Sequence, residues 1–255
     1  MSKGKLMSVM LYKFGPVMGL PDPSPFCFKL ETYLRMAGIK YTVASDKRKK
    51  APTGKRPFLV DESGKVLADS GLVISQLEAQ NGNPVDGKLT LTQRAESLSF
   101  QRLMEEHLYW ALVYFRWLDP HGIKHWAPYM KKILGVPGPV LAILKPFAQR
   151  IVRKQLVGHG IGRHSPKTIQ DMAITDIGAL AHWLGQKEWG FTDQPTIFDA
   201  CLAAHVGEII SQPWENAITV ETRKHRNLVN HFERMMTRYY PELRGSENAV
   251  TGAPS

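Results

Sequence analysis

The pattern of apolar and polar residues predicts that a short strand near the start of the chain leads through a loop into a helix. Residues 8–14 are mostly apolar, as in a strand, and residues 15–23 form the loop. Ser24 is a good N-cap and Pro25 suits the first helical position, while Gly38 ends the helix. The apolar residues that share one face of this helix are Phe26, Leu30, Tyr33, Leu34 and Ala37.

The next forty residues predict three more strands and a second helix. Residues 41–45, 57–61 and 66–68 have strand patterns, and the last two are close enough to pair as a hairpin. Asp69-Ser70 then starts a helix that ends at the turn residues 81–84. Because the first two strands enclose a helix, we expect them to pair in parallel as a βαβ unit.

From Thr90 onward the pattern predicts helices almost throughout, with a break at residues 119–122. Thr196 can cap one of these helices, and Asp199, three residues later, can return a hydrogen bond to its start. The predicted helical segments are 92–118, 126–134, 140–156, 165–184, 196–210 and 227–240. We therefore expect an α/β domain (residues 1–81), a linker (82–89), an all-helical domain (90–245) and a loose tail (246–255).

Composition indicates a globular protein of 255 residues, of which 43% are hydrophobic, with a formal net charge of +10. The excess positive charge is interpreted as spread along the chain, with one cluster at Lys47, Arg48, Lys49, Lys50, Lys55 and Arg56. A solvated basic face is the first interpretation, a basic rim around a site for a small anion the second, and nucleic-acid binding the third.

Cysteine content and hydropathy indicate a cytoplasmic protein with neither a membrane nor a nucleic acid as partner. The two cysteines, Cys27 and Cys201, lie far apart in sequence and are predicted to pack as reduced thiols. The most apolar long segment, 133–144, is too short and too interrupted by glycine and proline to span a bilayer. The first five residues lack the apolar run of a signal peptide.

Three short motifs occur in a fixed order along the α/β half. They are Ser24-Pro25-Phe26-Cys27 after a strand, Arg56-Pro57 at the start of a strand, and Asp69-Ser70 at a helix start after a hairpin. An α/β half with this trio, followed by a helical half, resembles the glutathione transferase superfamily. The run 11–14, the run 24–37 and Gly54-Lys55-Arg56-Pro57 resemble its failed-axon-connections and metaxin-like branch.

The resemblance implies a thioredoxin-like domain that binds glutathione, followed by an all-helical domain. It also implies that Ser24 and the adjoining helix end hold the glutathione thiolate, in which the helix dipole helps. The alternative is that Ser24 only caps the helix. Tyr12 is the rival for thiolate activation, with a packed core tyrosine as its alternative, and Cys27 is interpreted as a packed thiol.

The other motifs imply the remaining contacts to glutathione. Pro25 and Phe26 lie beside the thiol, and Pro57 resembles a cis-proline that turns the Arg56 backbone toward the cysteinyl unit. Asp69 and Ser70 resemble the pair that holds the γ-glutamyl ammonium and carboxylate. The alternatives are an ordinary trans proline at a strand edge and simple helix capping.

A second substrate is expected between the halves, where Tyr109 and Tyr114 are the candidate contacts and core packing is the alternative. No metal is expected, because a turn at Pro120 and Gly122 is predicted to separate the nearest histidine pair, His121 and His125.

The first functional hypothesis is a glutathione S-transferase-like enzyme that presents the thiolate to an electrophilic small molecule or a peroxide. The second is a non-catalytic binding or assembly protein of the same fold, and the third is a binder of nucleic acid or an anionic surface. A tail at 245–255 without an apolar anchor argues against an anchored, metaxin-like role. A homodimer is compatible with the superfamily.

Overall fold

The computed structural model describes residues 8–45 and 51–244, and it has the predicted class, a small mixed sheet with two helices followed by a helical region. The strands are β1 (Val9–Tyr12), β2 (Tyr41–Val43), β3 (Phe58–Val60) and β4 (Val66–Ala68). The helices of the first half are α1 (Pro25–Met36), α2 (Ser70–Gln80) and α3 (Leu91–Arg102). The basic residues 47–50 and the predicted tail lie outside the described residues.

The second half is helical in the described residues. A π-helical turn (Leu103–Leu108) joins α3 to the next helix, and a single 3-10 turn (Ile161–Arg163) precedes α7. The helices are α4 (Tyr109–Trp117), α5 (Pro120–Leu134), α6 (Gly138–His159), α7 (Pro166–Leu184), α8 (Ile197–Ile210), α9 (Ala217–Lys224), α10 (Arg226–Tyr239) and α11 (Pro241–Arg244).

The chain divides into two compact units that are discontinuous in sequence. The first contains the described residues up to 98 together with 187–208 and 230–244, and the second contains 99–186 and 209–229. The first unit therefore combines the sheet with helical segments from the end of the chain. The domain boundaries at residues 81 and 90 stay predictions.

The ends of three strands lie at the same edge of the sheet. Its strand order is β2-β1-β3-β4, with β1 parallel to β2 as predicted and the other pairs antiparallel. Tyr12 pairs with Phe58, and Phe58 pairs with Ala68. The residues one step beyond this row are Lys13, Pro57 and Asp69, so the end of β1, the start of β3 and the end of β4 share an edge.

Helix α1 is held by the apolar face that the sequence predicts. Leu30, Tyr33 and Leu34 are fully buried against β1, β3 and α2, whereas Phe26 and Ala37 are half-buried. Two polar groups tie the same helix to its surroundings, because Tyr33 Oη donates to Glu78 at 2.9 Å and Thr32 Oγ1 lies 2.9 Å from Tyr240 Oη. These contacts hold the C-terminal half of α1 in place.

The helical half differs from the prediction at three places. The segment 92–118 is interrupted by the π-helical turn, and α5 starts at Pro120 because Asp119 Oδ2 accepts from Gly122 N at 2.8 Å. Helix α9 has no counterpart in the prediction, although Asn216 caps it through Thr219 N at 2.9 Å. Capping by Asp119 therefore extends α5 into a segment where Pro and Gly suggested a turn, and capping by Asn216 starts a helix that the apolar pattern did not indicate.

The start of α8 confirms the predicted return hydrogen bond. Asp199 Oδ2 accepts from Thr196 N and from Thr196 Oγ1, both at 2.7 Å. Its other oxygen accepts from Gly190 N and from His231 Nε2, both at 2.8 Å. Asp199 and His231 are fully buried, so this carboxylate joins the loop before α8 to α10 inside the first unit.

Candidate functional site

The three motifs predicted for glutathione lie at the shared edge of the sheet. Pro57 and Asp69 follow the paired residues of β3 and β4, and the loop to Ser24 leaves the end of β1 at the same edge. The Arg56 guanidinium donates to the carbonyl of Lys13, which ties the β3 start to this loop. The fold thus gathers segments that span residues 13–69 of the sequence.

Ser24 stands at the N-cap of α1 with an extended backbone, but its side chain makes no capping hydrogen bond. Ser165-Pro166 starts α7 with the same dipeptide, and there Ser165 Oγ accepts from Thr168 N at 3.1 Å. The interpretation that Ser24 only caps its helix is therefore wrong. Its hydroxyl is instead a hydrogen-bond partner of the Cys27 thiol, and it is half-exposed at the helix end.

Asp22 organises the loop that carries Ser24, and the sequence reasoning missed it. Its Oδ2 accepts from Phe14 N at 2.8 Å and Gly15 N at 2.9 Å, and its Oδ1 accepts from Ser24 N at 3.0 Å. The side chain is fully buried, and this burial raises its pKa to about 6. Its position between Pro21 and Pro23 was the available signal, because an aspartate held between prolines favours a fixed loop.

A buried ion pair supports this loop from inside. Lys13 Nζ lies 2.5 Å from Glu31 Oε2 on α1 and donates to the carbonyl of Pro21 at 2.9 Å. Glu31 also accepts from Tyr41 Oη at 2.8 Å. The lysine therefore joins the end of β1, the loop and α1, and its positive charge also favours ionisation of Asp22, which lowers that pKa against the effect of burial.

Both cysteines are buried and free. Burial raises the pKa of the Cys27 thiol, and the neighbouring Asp22 carboxylate raises it further. A thiol with a raised pKa is a poor nucleophile, because the thiolate is the reactive form. This environment agrees with the prediction that Cys27 packs rather than reacts.

The peptide bond between Arg56 and Pro57 is cis, as the resemblance implied. Pro57 is buried and Arg56 is half-buried, with its guanidinium carbon 5.6 Å from the centre of the Phe14 ring. A cationic side chain therefore stands at the sheet edge, next to the loop that Asp22 holds. Lys55, beside it, is exposed, so part of the predicted basic cluster does reach this edge.

Asp69 caps α2 from a backbone conformation that is uncommon for a residue with a side chain. Its φ is 73°, and its Oδ1 accepts from Gly71 N at 3.0 Å and Leu72 N at 3.1 Å. A carboxylate has about four acceptor positions, so capping leaves room for a ligand ammonium. Strained non-glycine backbone is concentrated at functional sites, and Ser70 beside it is buried at the first turn of α2.

The remaining candidates lie in different environments. Tyr12 is buried and stacks on Phe58 with ring centroids 4.3 Å apart, as expected of a core tyrosine. Tyr109 and Tyr114 are half-buried in the second unit, where each makes an edge-to-face contact with the next residue of α4, Trp110 and Phe115 respectively. Their assignment to a second substrate stays a prediction.

The expected turn between His121 and His125 is wrong, because α5 runs through both and their ring centroids are 4.3 Å apart. Even so, the described residues hold no group of three or more His, Cys, Asp or Glu side chains with the geometry for a metal ion.

Comparison with known proteins places both halves of the chain in one family. Residues 25–122 match the model of the glutathione S-transferase N-terminal domain, and residues 173–235 match that of the C-terminal domain. The isoprene-epoxide–glutathione S-transferase of Rhodococcus sp. (strain AD45) is 32% identical over 91% of this chain and 99% of its own length. The beta-etherase LigF of Sphingobium sp. strain SYK-6 has a TM-score of 0.65 at 19% identity, covering 94% of this chain and all of that one.

Two other relatives come from the branch that the sequence motifs resemble. Failed axon connections of Drosophila melanogaster is 30% identical over 92% of this chain. The match covers 58% of that relative's own length. Human metaxin-2 is 26% identical over 85% of this chain and 82% of its own length. Together with the sheet edge that unites the three motifs, the match to the isoprene-epoxide transferase shows that the chain belongs to the glutathione S-transferase family, and failed axon connections and the metaxins are among its relatives.

Proposed function

We propose that this protein binds glutathione at the sheet edge and directs its thiolate against an electrophilic small molecule. The observation that carries the proposal is the hydroxyl of Ser24, which stands at the start of α1 without capping it. A hydroxyl and the positive end of the helix dipole are suited to a thiolate, because both present partial positive charge. An epoxide is a reasonable electrophile, since one relative is an isoprene-epoxide transferase.

The other motifs supply the rest of the proposed glutathione site. Pro25 and Phe26 border the thiol, and the Arg56 backbone beside the cis Pro57 pairs with the cysteinyl unit. Asp69 receives the γ-glutamyl ammonium. Ser70 receives the carboxylate through its hydroxyl at the positive end of α2, while the amides of Gly71 and Leu72 donate to Asp69.

Replacement of Ser24 by alanine is expected to lower the turnover of glutathione with an epoxide or an aryl halide by about ten- to a hundredfold. A hydrogen bond to a charged group contributes about 1.5–3 kcal/mol, and the proposal gives that bond to the thiolate. The measurement is kcat/KM for glutathione at saturating electrophile. The pKa of the thiol of bound glutathione is measured in parallel from the thiolate absorbance. That pKa is expected to rise in the variant.

Ser165→Ala is the matched control, because Ser165 begins α7 with the same Ser-Pro dipeptide but does cap its helix. It is expected to lose about 1 kcal/mol of unfolding free energy and to keep its turnover. Full turnover in Ser24→Ala, with an unchanged thiol pKa, would move thiolate stabilisation to Tyr12 or to the backbone amides.

Replacement of Ser70 by alanine is expected to raise the KM for glutathione by about tenfold and to leave kcat within about twofold. The residue would hold the glutamyl end, which does not react, so its contribution is the same in the ground state and the transition state. Ser75→Ala, on an exposed position of the same helix, is the control. An equal KM in the two variants would remove Ser70 from the site.

One observation favours the second candidate function, a non-catalytic glutathione-binding protein. The Ser24 hydroxyl is already a partner of the Cys27 thiol, so its single O–H proton is available to a substrate thiolate only when the cysteine S–H donates to the serine oxygen. A rise in melting temperature with glutathione, without turnover of any electrophile, would support this candidate. No rise at millimolar glutathione would contradict both.

A further inference from the structure

Helix α6 has two apolar faces, and only one of them is covered. Leu141 and Leu156 are buried on the inner face, and Gln149 Nε2 donates to the carbonyl of Trp117 at 2.8 Å, which attaches the helix to α4. The outer apolar side chains are Val140, Ile143, Leu144, Phe147 and Ile151, hereafter the α6 stripe. Their spacing of three and four residues places them in one row.

The exposure of the α6 stripe is large for apolar side chains. Ile143, Phe147 and Ile151 expose 65%, 64% and 60% of their surface, and Val140 and Leu144 expose 41% and 43%. Single exposed apolar residues are ordinary on protein surfaces, but a contiguous row marks a site of contact. The row extends over about three turns, or roughly 16 Å at 1.5 Å per residue.

The positive charge of the chain is concentrated around this helix, contrary to the expectation that it is spread along the sequence. Residues 120–170 contain neither aspartate nor glutamate. The cationic residues in this segment are Lys124, Lys131, Lys132, Lys145, Arg150, Arg153, Lys154, Arg163 and Lys167. These nine charges account for nearly all of the net charge of +10.

Two of the cations stand directly beside the stripe. Arg150 and Lys154 are exposed and follow Phe147 by three and seven residues, so helical geometry places them along its flank. Long cationic side chains can lie along an apolar surface while their charged ends reach a polar phase. An exposed apolar row with cations at its side is the pattern of a helix that lies in a membrane interface.

We propose that the α6 stripe docks this protein on the surface of an anionic lipid bilayer. A second copy of the chain is disfavoured as the occupant, because two segments that each carry nine cations and no carboxylate repel one another. A protein partner would need matching carboxylates over the whole segment, whereas an anionic bilayer presents negative charge uniformly. The helix rests on the bilayer and does not cross it, since no helix of the described residues is long and apolar enough to span one.

The test measures binding of the full chain to vesicles by co-sedimentation. Vesicles of phosphatidylcholine with phosphatidylserine are expected to bind the protein at least about tenfold more strongly than phosphatidylcholine alone, because each cation near an anionic surface contributes about fivefold. Added salt is expected to weaken this binding. The double change Ile143→Ser and Phe147→Ser is expected to reduce it about a hundredfold, since it removes the apolar part.

The charge variant Arg150→Gln with Lys154→Gln is expected to bind anionic vesicles at least about tenfold more weakly than the unchanged chain. Its binding to neutral vesicles is expected to change little. Leu91→Ser with Leu98→Ser is the matched control, because these residues are also exposed and lie seven positions apart on α3. It is expected to bind vesicles like the unchanged chain. The melting temperature of every variant shows whether it is folded, and exposed positions change stability little.

Four results would overturn the proposal. One is an absence of binding to anionic vesicles, and another is equal binding by the stripe variant and the unchanged chain. A third is a dimer in analytical ultracentrifugation that the Ile143→Ser and Phe147→Ser change dissociates. The fourth is binding to DNA that depends on Arg150 and Lys154 while vesicles remain unbound. The glutathione reaction enters none of these measurements, so the two proposals stand or fall separately.

Discussion

Replacement of Asp199 by alanine is expected to lower the free energy of unfolding by about 3–5 kcal/mol, a large share of the 5–15 kcal/mol that is typical of a domain. The carboxylate is fully buried and accepts four hydrogen bonds, from Gly190 N, His231 Nε2, Thr196 N and Thr196 Oγ1, at 2.7–2.8 Å. Without it these donors remain in the core without an acceptor, and each such donor costs about 1–3 kcal/mol. Urea unfolding followed by circular dichroism gives the value.

Asp119→Ala is the control for this prediction. Asp119 also begins a helix and accepts from Gly122 N at 2.8 Å, but it is half-buried and holds one loop only. Its loss is expected to cost about 1 kcal/mol, as for an ordinary N-cap. If the two variants lose the same amount, the buried network around Asp199 has no special importance. Asp199→Asn is expected to be intermediate, because its amide keeps one acceptor oxygen.

Replacement of Asp22 by alanine is expected to cost about 2–4 kcal/mol of unfolding free energy and to reduce glutathione turnover at least about tenfold. The variant leaves the amides of Phe14, Gly15 and Ser24 without their acceptor. Because one of these amides belongs to Ser24, the loss also releases the residue proposed to hold the thiolate. Unfolding and turnover are measured on the same preparation.

The pH dependence of stability gives an independent test of Asp22. Its pKa in the folded protein is raised to about 6 by burial, above the usual value of 3.8. The folded state therefore binds this proton more tightly, so the stabilisation is fully present below about pH 4 and is lost as the pH rises through 6. When the pH falls from 7.5 to 4, the unfolding free energy of the unchanged protein is expected to rise by on the order of 2 kcal/mol relative to that of Asp22→Asn.

Asp61 provides the contrast, because it too accepts backbone amides in a turn, from Ser63 and Lys65. It is only half-buried, and its hydrogen bonds with Ser63 lower its pKa. Its replacement by alanine is expected to cost less than that of Asp22, with a pH dependence of the opposite sign. A larger loss of unfolding free energy in Asp61→Ala than in Asp22→Ala would contradict the assignment of Asp22 as the organiser of the loop.

The sequence predicted those parts of the fold that depend on local patterns. The βαβ unit, the hairpin and the start of α1 follow from apolar spacing and from helix start signals, which act within a few residues. The prediction placed the start of α5 at residue 126, whereas the helix begins at Pro120. Pro120 and Gly122 resemble a turn when the N-cap at Asp119 is not taken into account. The π-helical turn covers only six residues, which is too short a stretch to show a hydrophobic period of its own.

The candidate site was predictable only in part, for a related reason. Ser24, Pro57, Asp69 and Ser70 stand in motifs whose order could be recognised. The prolines beside Asp22 favour a fixed loop, but neither its burial nor the three amides that it accepts from can be read from them. The cationic segment 120–170 could have been found in the sequence. It was missed because its lysines and arginines are not adjacent and the segment is distinguished by its lack of aspartate and glutamate, which the net charge of the whole chain does not show.

The discontinuity of the first unit has a consequence for synthesis on the ribosome. The sheet and α1 come from the first hundred residues, but the Thr32 hydroxyl lies 2.9 Å from that of Tyr240, and Phe28 packs against the same tyrosine with ring centroids 5.4 Å apart. A nascent chain that has released only its first hundred residues therefore lacks the cover for this helix. Helix α1, which begins at Ser24, can reach its final packing only after residue 240 has left the ribosome.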